Sequence, residues 1–413
     1  MRGSPEMRER QGAVSEETEG TEVHGVCAPG FERVRRVFEN NFARGLEVGA
    51  AVTVFAGDER VVELWGGWAD RRSERPWRRD TPCFAFSCTK AVTAAAALRV
   101  AERGGHDLSA PVASWWPGYD AHGKGKTTGE HLLSHQAGLP AFDTPVSAEE
   151  AADPAAMADL LAAQAPAWEP GTAHGYHAFT YGWLAGEIVR RLDGRTVGAY
   201  TADEIAGPLG LDLWVGAPDG VAERAARLTR RAGGGPTRSA DIADGPSDDP
   251  IARMARAARD PESLYSRSFR NPDMAAVRGG FNDRGVMAAG WPAAGLTTTA
   301  TGLAGFYRDL LAGRIVSPET LRAAVAPRVE GEDAVLHLTS SFGLGFMRPS
   351  LVFAVPRAAQ AGAFGHTGSG GSIGLADMDH GISIGYVMNG LGAELSGGMR
   401  SMRLVKAVYD SLR

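Results

Sequence analysis

Cysteine is scarce in this 413-residue chain: only Cys27, Cys83 and Cys88 are present. They form no CxxC pair and no zinc spacing, and an odd count argues against a disulfide framework. Cys88 reads as a small apolar filler. No run of ~18 apolar residues occurs, so no segment has the sequence of a membrane-spanning helix. Net positive charge is lacking too. A charge of −6 with a pI near 6.0 gives no electrostatic case for nucleic acid or an anionic membrane surface. The first twenty residues, MRGSPEMRERQGAVSEETEG, contain no apolar stretch of the signal-peptide kind. Residues 1–24 therefore read as a disordered tail, and the cytoplasm is the expected location. Lysine is the last scarcity. Among 43 Lys and Arg, the only lysines are Lys90, Lys124, Lys126 and Lys406.

What is present is ordinary for a soluble globular protein: 44% hydrophobic and 22% charged residues. Helical apolar spacing runs over 29–44 through Phe31, Val34, Val37, Phe38 and Phe42. Two β-branched runs, Val48–Phe55 and Arg60–Trp65, flank Ala56-Gly57-Asp58 and predict a hairpin. Ser372–Asp377 and Ile382–Met388 predict a second, closed by a helix over 394–412. The middle of the chain is rich in Ala and Leu. It predicts helices over Ser87–Arg103, stopped by Gly104-Gly105, and over Tyr181–Leu192. Residues 232–250 form a turn-rich insertion, a mobile loop or a lid.

Strands at both chain ends with helices between them imply an α/β domain over 25–413. Its antiparallel sheet is built from about 25–86 and 295–413, flanked by helices. A mainly helical subdomain is inserted at about 87–294.

Three short patterns carry chemistry. Ser87-Cys88-Thr89-Lys90 opens a predicted helix. A serine hydroxyl needs a base within hydrogen-bond reach, and residues three apart share a helix face. The helix N-terminus favours negative charge at Ser87 and helps depress the Lys90 pKa. In so Arg-dominated a chain, a lysine fits a role that requires losing a proton, which arginine cannot do. A capping serine followed by an ordinary first-turn lysine would look the same. Tyr176-His177-Ala178 follows the turn signal Trp168-Glu169-Pro170-Gly171. A tyrosine there can deliver its phenol into a cleft, where a nearby lysine would lower its pKa; the alternative is a packing tyrosine. His366-Thr367-Gly368-Ser369 offers small residues that let backbone approach a substrate and aim an N–H at an oxyanion. A glycine-rich turn feeding the hairpin is the alternative.

Two lookalikes fail. Gly368–Ser372 is not a GxSxG elbow and precedes a strand. His131 and His135 stand at i, i+4, but Glu130 precedes them, so HExxH is absent.

Serine, lysine, tyrosine and HTG in this order resemble the serine β-lactamase and penicillin-binding-protein superfamily. Within it, the chain is most similar to family VIII carboxylesterases and related transacylases. The supporting segments are FAFSCTKAVTA, EHLLSHQAGLPAF, WEPGTAHGYHAFTYGWLAGEIVRR, AAGLTTTATGLAGFY and FGHTGSGGSIGLADMDHGISIGYVMN, which cover about residue 30 to the end.

The resemblance implies a β-lactamase/transpeptidase-like fold, with Ser87 as acylated nucleophile, Lys90 as its proton partner and Tyr176 as the tyrosine of a YxN-like element. His366 and Gly368 would match a KTG-like element, and the N–H groups of Ser87 and Ser369 would form the oxyanion hole. It implies no cofactor and no metal. The partner would be a small-molecule ester, with an amine or alcohol as acyl acceptor in the transacylase alternative. Two departures stand out: Ala178 replaces the asparagine of YxN, and His366 replaces the lysine of KTG. Both family residues help hold a β-lactam, so ester chemistry is expected here over β-lactam hydrolysis.

Overall fold

The computed structural model describes residues 22–230, 243, 245–246, 248–392 and 398–412. Strand β1 (Val23–Cys27) and helix α1 (Glu32–Ala43) lead into the hairpin of β2 (Gly49–Ala56) and β3 (Glu59–Asp70). β1 starts inside the stretch read as tail: Val23 and His24 pair with Gly66 and Trp65. The rest of that tail and most of the 232–250 insertion lie outside the described residues. Helices α2 (Thr89–Gly104), α3 (Thr180–Leu192) and α4 (Ala300–Leu311) fill the middle of the chain. Strands β4 (Ala363–Thr367), β5 (Ile373–Asp377) and β6 (Ile382–Met388), then α5 (Met399–Ser411), complete the domain.

The sheet order is β1-β3-β2-β6-β5-β4, every pairing antiparallel, with the two-residue strand Arg75–Pro76 beside β3. β2 pairs with β6 from Ala56–Ile382 to Ala50–Met388, so the two chain ends share one sheet, as the two hairpins implied. One face buries Val34, Phe38 and Phe42 of α1 with Leu404, Val405 and Val408 of α5. The other carries α2 and α4. A β-carbon at Gly374 would come within 2.3 Å of the Tyr307 ring, and one at Gly385 within 2.4 Å of the Ala300 carbonyl. These two glycines face each other across β5 and β6 and let α4 lie almost on the sheet backbone.

α2 is the buried axis of the domain. Its run of small residues, Ala91 and Ala94–Ala97, is wholly inaccessible, and it ends at Gly105 with φ 65°. Small side chains let it lie close to α3, where Tyr181, Ala185 and Ile188 belong to the same core cluster. A small sheet of Cys83–Phe84, Leu296–Thr298 and Leu213–Val215 fixes the residues just before α2. That sheet sets where Ser87 begins.

Candidate active site

Ser87 does not sit in the α-helix itself. It lies in a 3₁₀ turn, Phe86–Cys88, that leads into α2. Phe86 adopts φ 49°, a left-handed conformation that is costly for a bulky residue. Its ring meets Phe84 edge-on at 5.0 Å and Phe281 at 5.1 Å. This packing holds the turn that presents Ser87 to a cavity.

Lys90 is completely buried. Its Nζ lies 3.2 Å from Ser87 Oγ, 2.8 Å from the Ala178 carbonyl and 3.1 Å from the Ala293 carbonyl. Among the described residues no carboxylate pairs with it. Burial drives its pKa well below the ordinary lysine range. Desolvation is thus the main cause, ahead of the helix terminus invoked from sequence. A neutral amine has two N–H groups and one lone pair. Two carbonyls accept N–H groups of Lys90, and the nitrogen's remaining position faces Ser87 Oγ.

Tyr176 is also buried, with its ring 4.7 Å from Lys90 Nζ. Burial raises its pKa, and contact with the Ser87 hydroxyl only partly offsets this. The expected lowering by lysine does not occur, because burial of the phenol dominates. Ser268 ties down the tyrosine's loop: its Oγ accepts the Ala178 N–H at 3.2 Å and donates to the Pro140 carbonyl at 2.8 Å. Position 178 contributes a carbonyl to Lys90 where the family's asparagine would contribute a side chain.

His366 departs from its expected place. Strand alternation gives the cavity Thr367, while the His366 ring is buried with its centroid 6.1 Å from that of Tyr176. Its Nδ1 donates to the Thr367 carbonyl at 2.7 Å, and Nε2 has no partner among the described residues. Burial lowers its pKa to about 3. His366 is therefore neither a lining residue nor a pH-dependent cation at neutral pH. Gly368 is needed for close packing, since a β-carbon there would come within 2.3 Å of the Ala85 carbonyl. Ser369 lines the same cavity as Ser87. Neither the Ser87 nor the Ser369 N–H is given to a backbone carbonyl of the described residues. Both are thus available for an oxyanion.

The turn bearing Ser369 is braced by Arg400 of α5, which the sequence did not single out. Arg400 Nη2 donates to the Gly370 carbonyl at 2.5 Å, and Nη1 pairs with buried Glu47 at 2.8 Å. Glu47 also accepts the Tyr386 hydroxyl.

The cavity beside Ser87 measures about 180 Å³. Phe86, Phe269, Met274, Phe281, Leu336 and Val352 make it strongly apolar, and none of its lining residues carries a charge. A larger cavity of about 270 Å³ lies behind α3, around Glu187 and Arg190. It holds none of these groups, so chemistry belongs to the smaller one.

The other sequence candidates are accounted for. His131 Nδ1 accepts the Thr128 N–H, and His135 Nδ1 accepts the His177 N–H, so both are structural. Cys88 is buried, its pKa pushed up to about 12, and its thiol points at the His366 carbonyl. It behaves as filler.

The buried histidines give a stability prediction. Burial holds His177 and His366 at about 3, against about 6.5 for a free histidine. Below pH 6.5 the unfolded chain takes up protons that the folded chain refuses, so stability falls as pH drops from about 6.5 towards 3. Each histidine costs about 2 kcal/mol by pH 5. Urea midpoints at about pH 7.5 and pH 5 should differ accordingly, and His366→Gln should shrink the difference. An unchanged gap in the glutamine variant would contradict it.

A serine 3.2 Å from a buried lysine amine, with a tyrosine beside it on one apolar cavity, fits an enzyme of the serine ester hydrolase and transacylase class. Residues 34–408 match the Beta-lactamase family, and the chain belongs to it. It is 32% identical over 384 residues to the esterase/β-lactamase LipL of Mycobacterium tuberculosis, covering 90% of this chain and 84% of that protein. It is 31% identical over 218 residues to the monacolin J acid methylbutanoyltransferase of Aspergillus terreus, covering 45% and 52%. The crystal structure of a family VIII carboxylesterase superposes with a TM-score of 0.81 at 32% identity, over 94% of this chain and 100% of that one. Among the described residues no helix is long and apolar enough to cross a membrane.

Proposed function

We propose that this enzyme hydrolyses small to medium carboxylic esters through an acyl-enzyme on Ser87. The carrying observation is Lys90: a buried amine 3.2 Å from Ser87 Oγ whose two other contacts are carbonyls. Lys90 takes the serine proton as Oγ bonds to the ester carbonyl carbon. The resulting oxyanion lies between the Ser87 and Ser369 N–H groups. Tyr176 gives a proton to the departing alcohol and is restored from Lys90. Water then attacks the acyl carbon, passing its proton back through the same pair, and Ser87 is released.

The apolar cavity suits an uncharged acyl or alcohol group. It offers no cation for the carboxylate of a β-lactam, since His366 lies buried and uncharged behind Tyr176. The test compares a p-nitrophenyl ester with nitrocefin at equal enzyme concentration. The ester should win on kcat/KM; a win for nitrocefin would sink the ester reading. The name of LipL carries both activities, so this comparison discriminates.

Acyl transfer is the second reading, and one observation favours it. The lining holds no histidine or carboxylate reserved for water. Whatever hydroxyl or amine enters must use the same Lys90 and Tyr176. Weighing the products formed with and without added amines or alcohols separates the readings.

Tyr176→Phe should lower kcat/KM by on the order of 100- to 10,000-fold, the usual loss for a general acid or base. Stopped-flow acylation and deacylation should slow together. Unchanged kinetics would reduce Tyr176 to a packing residue.

A further inference from the structure

Asp333 is fully buried and forms no ion pair among the described residues. Its Oδ1 accepts three backbone N–H groups: Tyr176 at 3.0 Å, Val335 at 2.9 Å and Leu336 at 2.9 Å. Its Oδ2 accepts the Ser340 hydroxyl at 3.0 Å, and Ser340 Oγ in turn lies 3.0 Å from His174 Nε2. The Ala334 N–H donates to the His174 carbonyl at 3.0 Å, a second tie between the same two loops. Tyr176 and Leu336, two of the residues bound by this one carboxylate, both line the cavity.

We propose that Asp333 is the positioning residue of Tyr176: its carboxyl group locks the tyrosine's backbone and the Leu336 wall of the cavity into one unit. The proposal rests on the reading of Tyr176 as proton carrier. Several groups face the phenol: Ser87, Cys88 and Lys90 from the start of α2, His135 at 5.1 Å between ring centroids, and His366 from β4. Burial pushes the pKa values of Lys90, His135 and His366 down and that of the Cys88 thiol up. Burial raises the Asp333 pKa, and its three N–H donors and His174 pull against that rise. Asp333 also raises the Tyr176 pKa, in the same direction as burial, which is the main cause.

Asp333→Asn separates shape from charge. The amide oxygen can still accept the three N–H groups. The amide nitrogen can donate to Ser340, which can turn its hydroxyl to a His174 tautomer protonated at Nδ1. The expected result is a folded enzyme with kcat/KM lower by about tenfold to a hundredfold. The alkaline limb of its pH profile should move to lower pH, because an unopposed phenol loses its proton more easily. In a Tyr176→Phe background the same substitution should cost less than about twofold, as expected for residues that act through one another. A folded Asp333→Asn variant with wild-type rate and profile would overturn the proposal, and so would an equal loss in both backgrounds. Where Asp333→Asn fails to fold, Ser340→Ala serves instead, since it removes the donor to Oδ2 together with the contact to His174 Nε2. It should cost severalfold with Tyr176 present and nothing without it, and equal losses again overturn the proposal. If Tyr176→Phe alone is fully active, Asp333 has nothing to act through and the proposal falls. Continued labelling of Ser87 by a fluorophosphonate would show that the acyl-enzyme reading survives that failure.

Discussion

Ser87→Ala should abolish ester turnover, lowering kcat by on the order of 100,000-fold or more, while the protein stays folded. The size of the loss follows from the chemistry. Without Oγ there is no acyl-enzyme, and the residual rate comes only from binding and from backbone N–H groups that remain in place. The fold should tolerate the change because Ser87 is only half-buried and its close side-chain neighbours are Lys90 and Tyr176. Removing Oγ leaves the lysine's contacts with the Ala178 and Ala293 carbonyls intact. The check pairs steady-state kinetics with intact-mass analysis after fluorophosphonate treatment. The wild type should gain one adduct and the variant none. A folded alanine variant with near-normal rate would refute the whole assignment of the site.

Lys90→Arg should be about as inactive as Lys90→Ala, with losses on the order of 10,000-fold. Arginine restores a cation but cannot release its proton, so it cannot accept one from Ser87. The two variants should lose stability for different reasons. Arginine places a permanent charge where nothing of the side chain is accessible and no carboxylate answers it. That costs about 3–5 kcal/mol, the range seen when a buried charge is left unpaired. Alanine instead leaves two carbonyls without donors, about 1–3 kcal/mol each. The pH profile of the wild type supplies the companion measurement. Activity needs the neutral amine, so it should fall as pH drops through the depressed Lys90 pKa, and the lower limb should lie far below ordinary lysine titration. An arginine variant within tenfold of wild type would show that Lys90 supplies charge alone.

Local pattern foretells much of this. The Ser87–Lys90 spacing, the hairpins at both ends and the stop at Gly105 are written within windows of a few residues. Three features are not. Phe86 takes a left-handed conformation because the small sheet before it and the rings of Phe84 and Phe281 dictate its place, and nothing in FAFSCTK announces that. Asp333 reaches Tyr176 across 157 residues, and Arg400 reaches Gly370 from the last helix. Such contacts follow from tertiary packing and leave no periodic trace. His366 differs from its expected place for another reason. Its match to a lysine suggests a residue facing substrate, while the alternation along β4 turns Thr367 there.

The pairing of β2 with β6 bears on how the enzyme comes into being. A ribosome delivers Ala50 early, yet its strand neighbour Met388 is made only after all the intervening helices. Until then β2 is an open apolar edge, and Ser87 and Lys90 have emerged without the Ser369 turn or the Arg400 that braces it. Domains whose pairings span the chain fold slowly and expose sticky intermediates. The nascent enzyme should therefore be catalytically silent until β6 and the Ser369 turn have emerged, and its yield should depend on chaperones that shield the waiting strand.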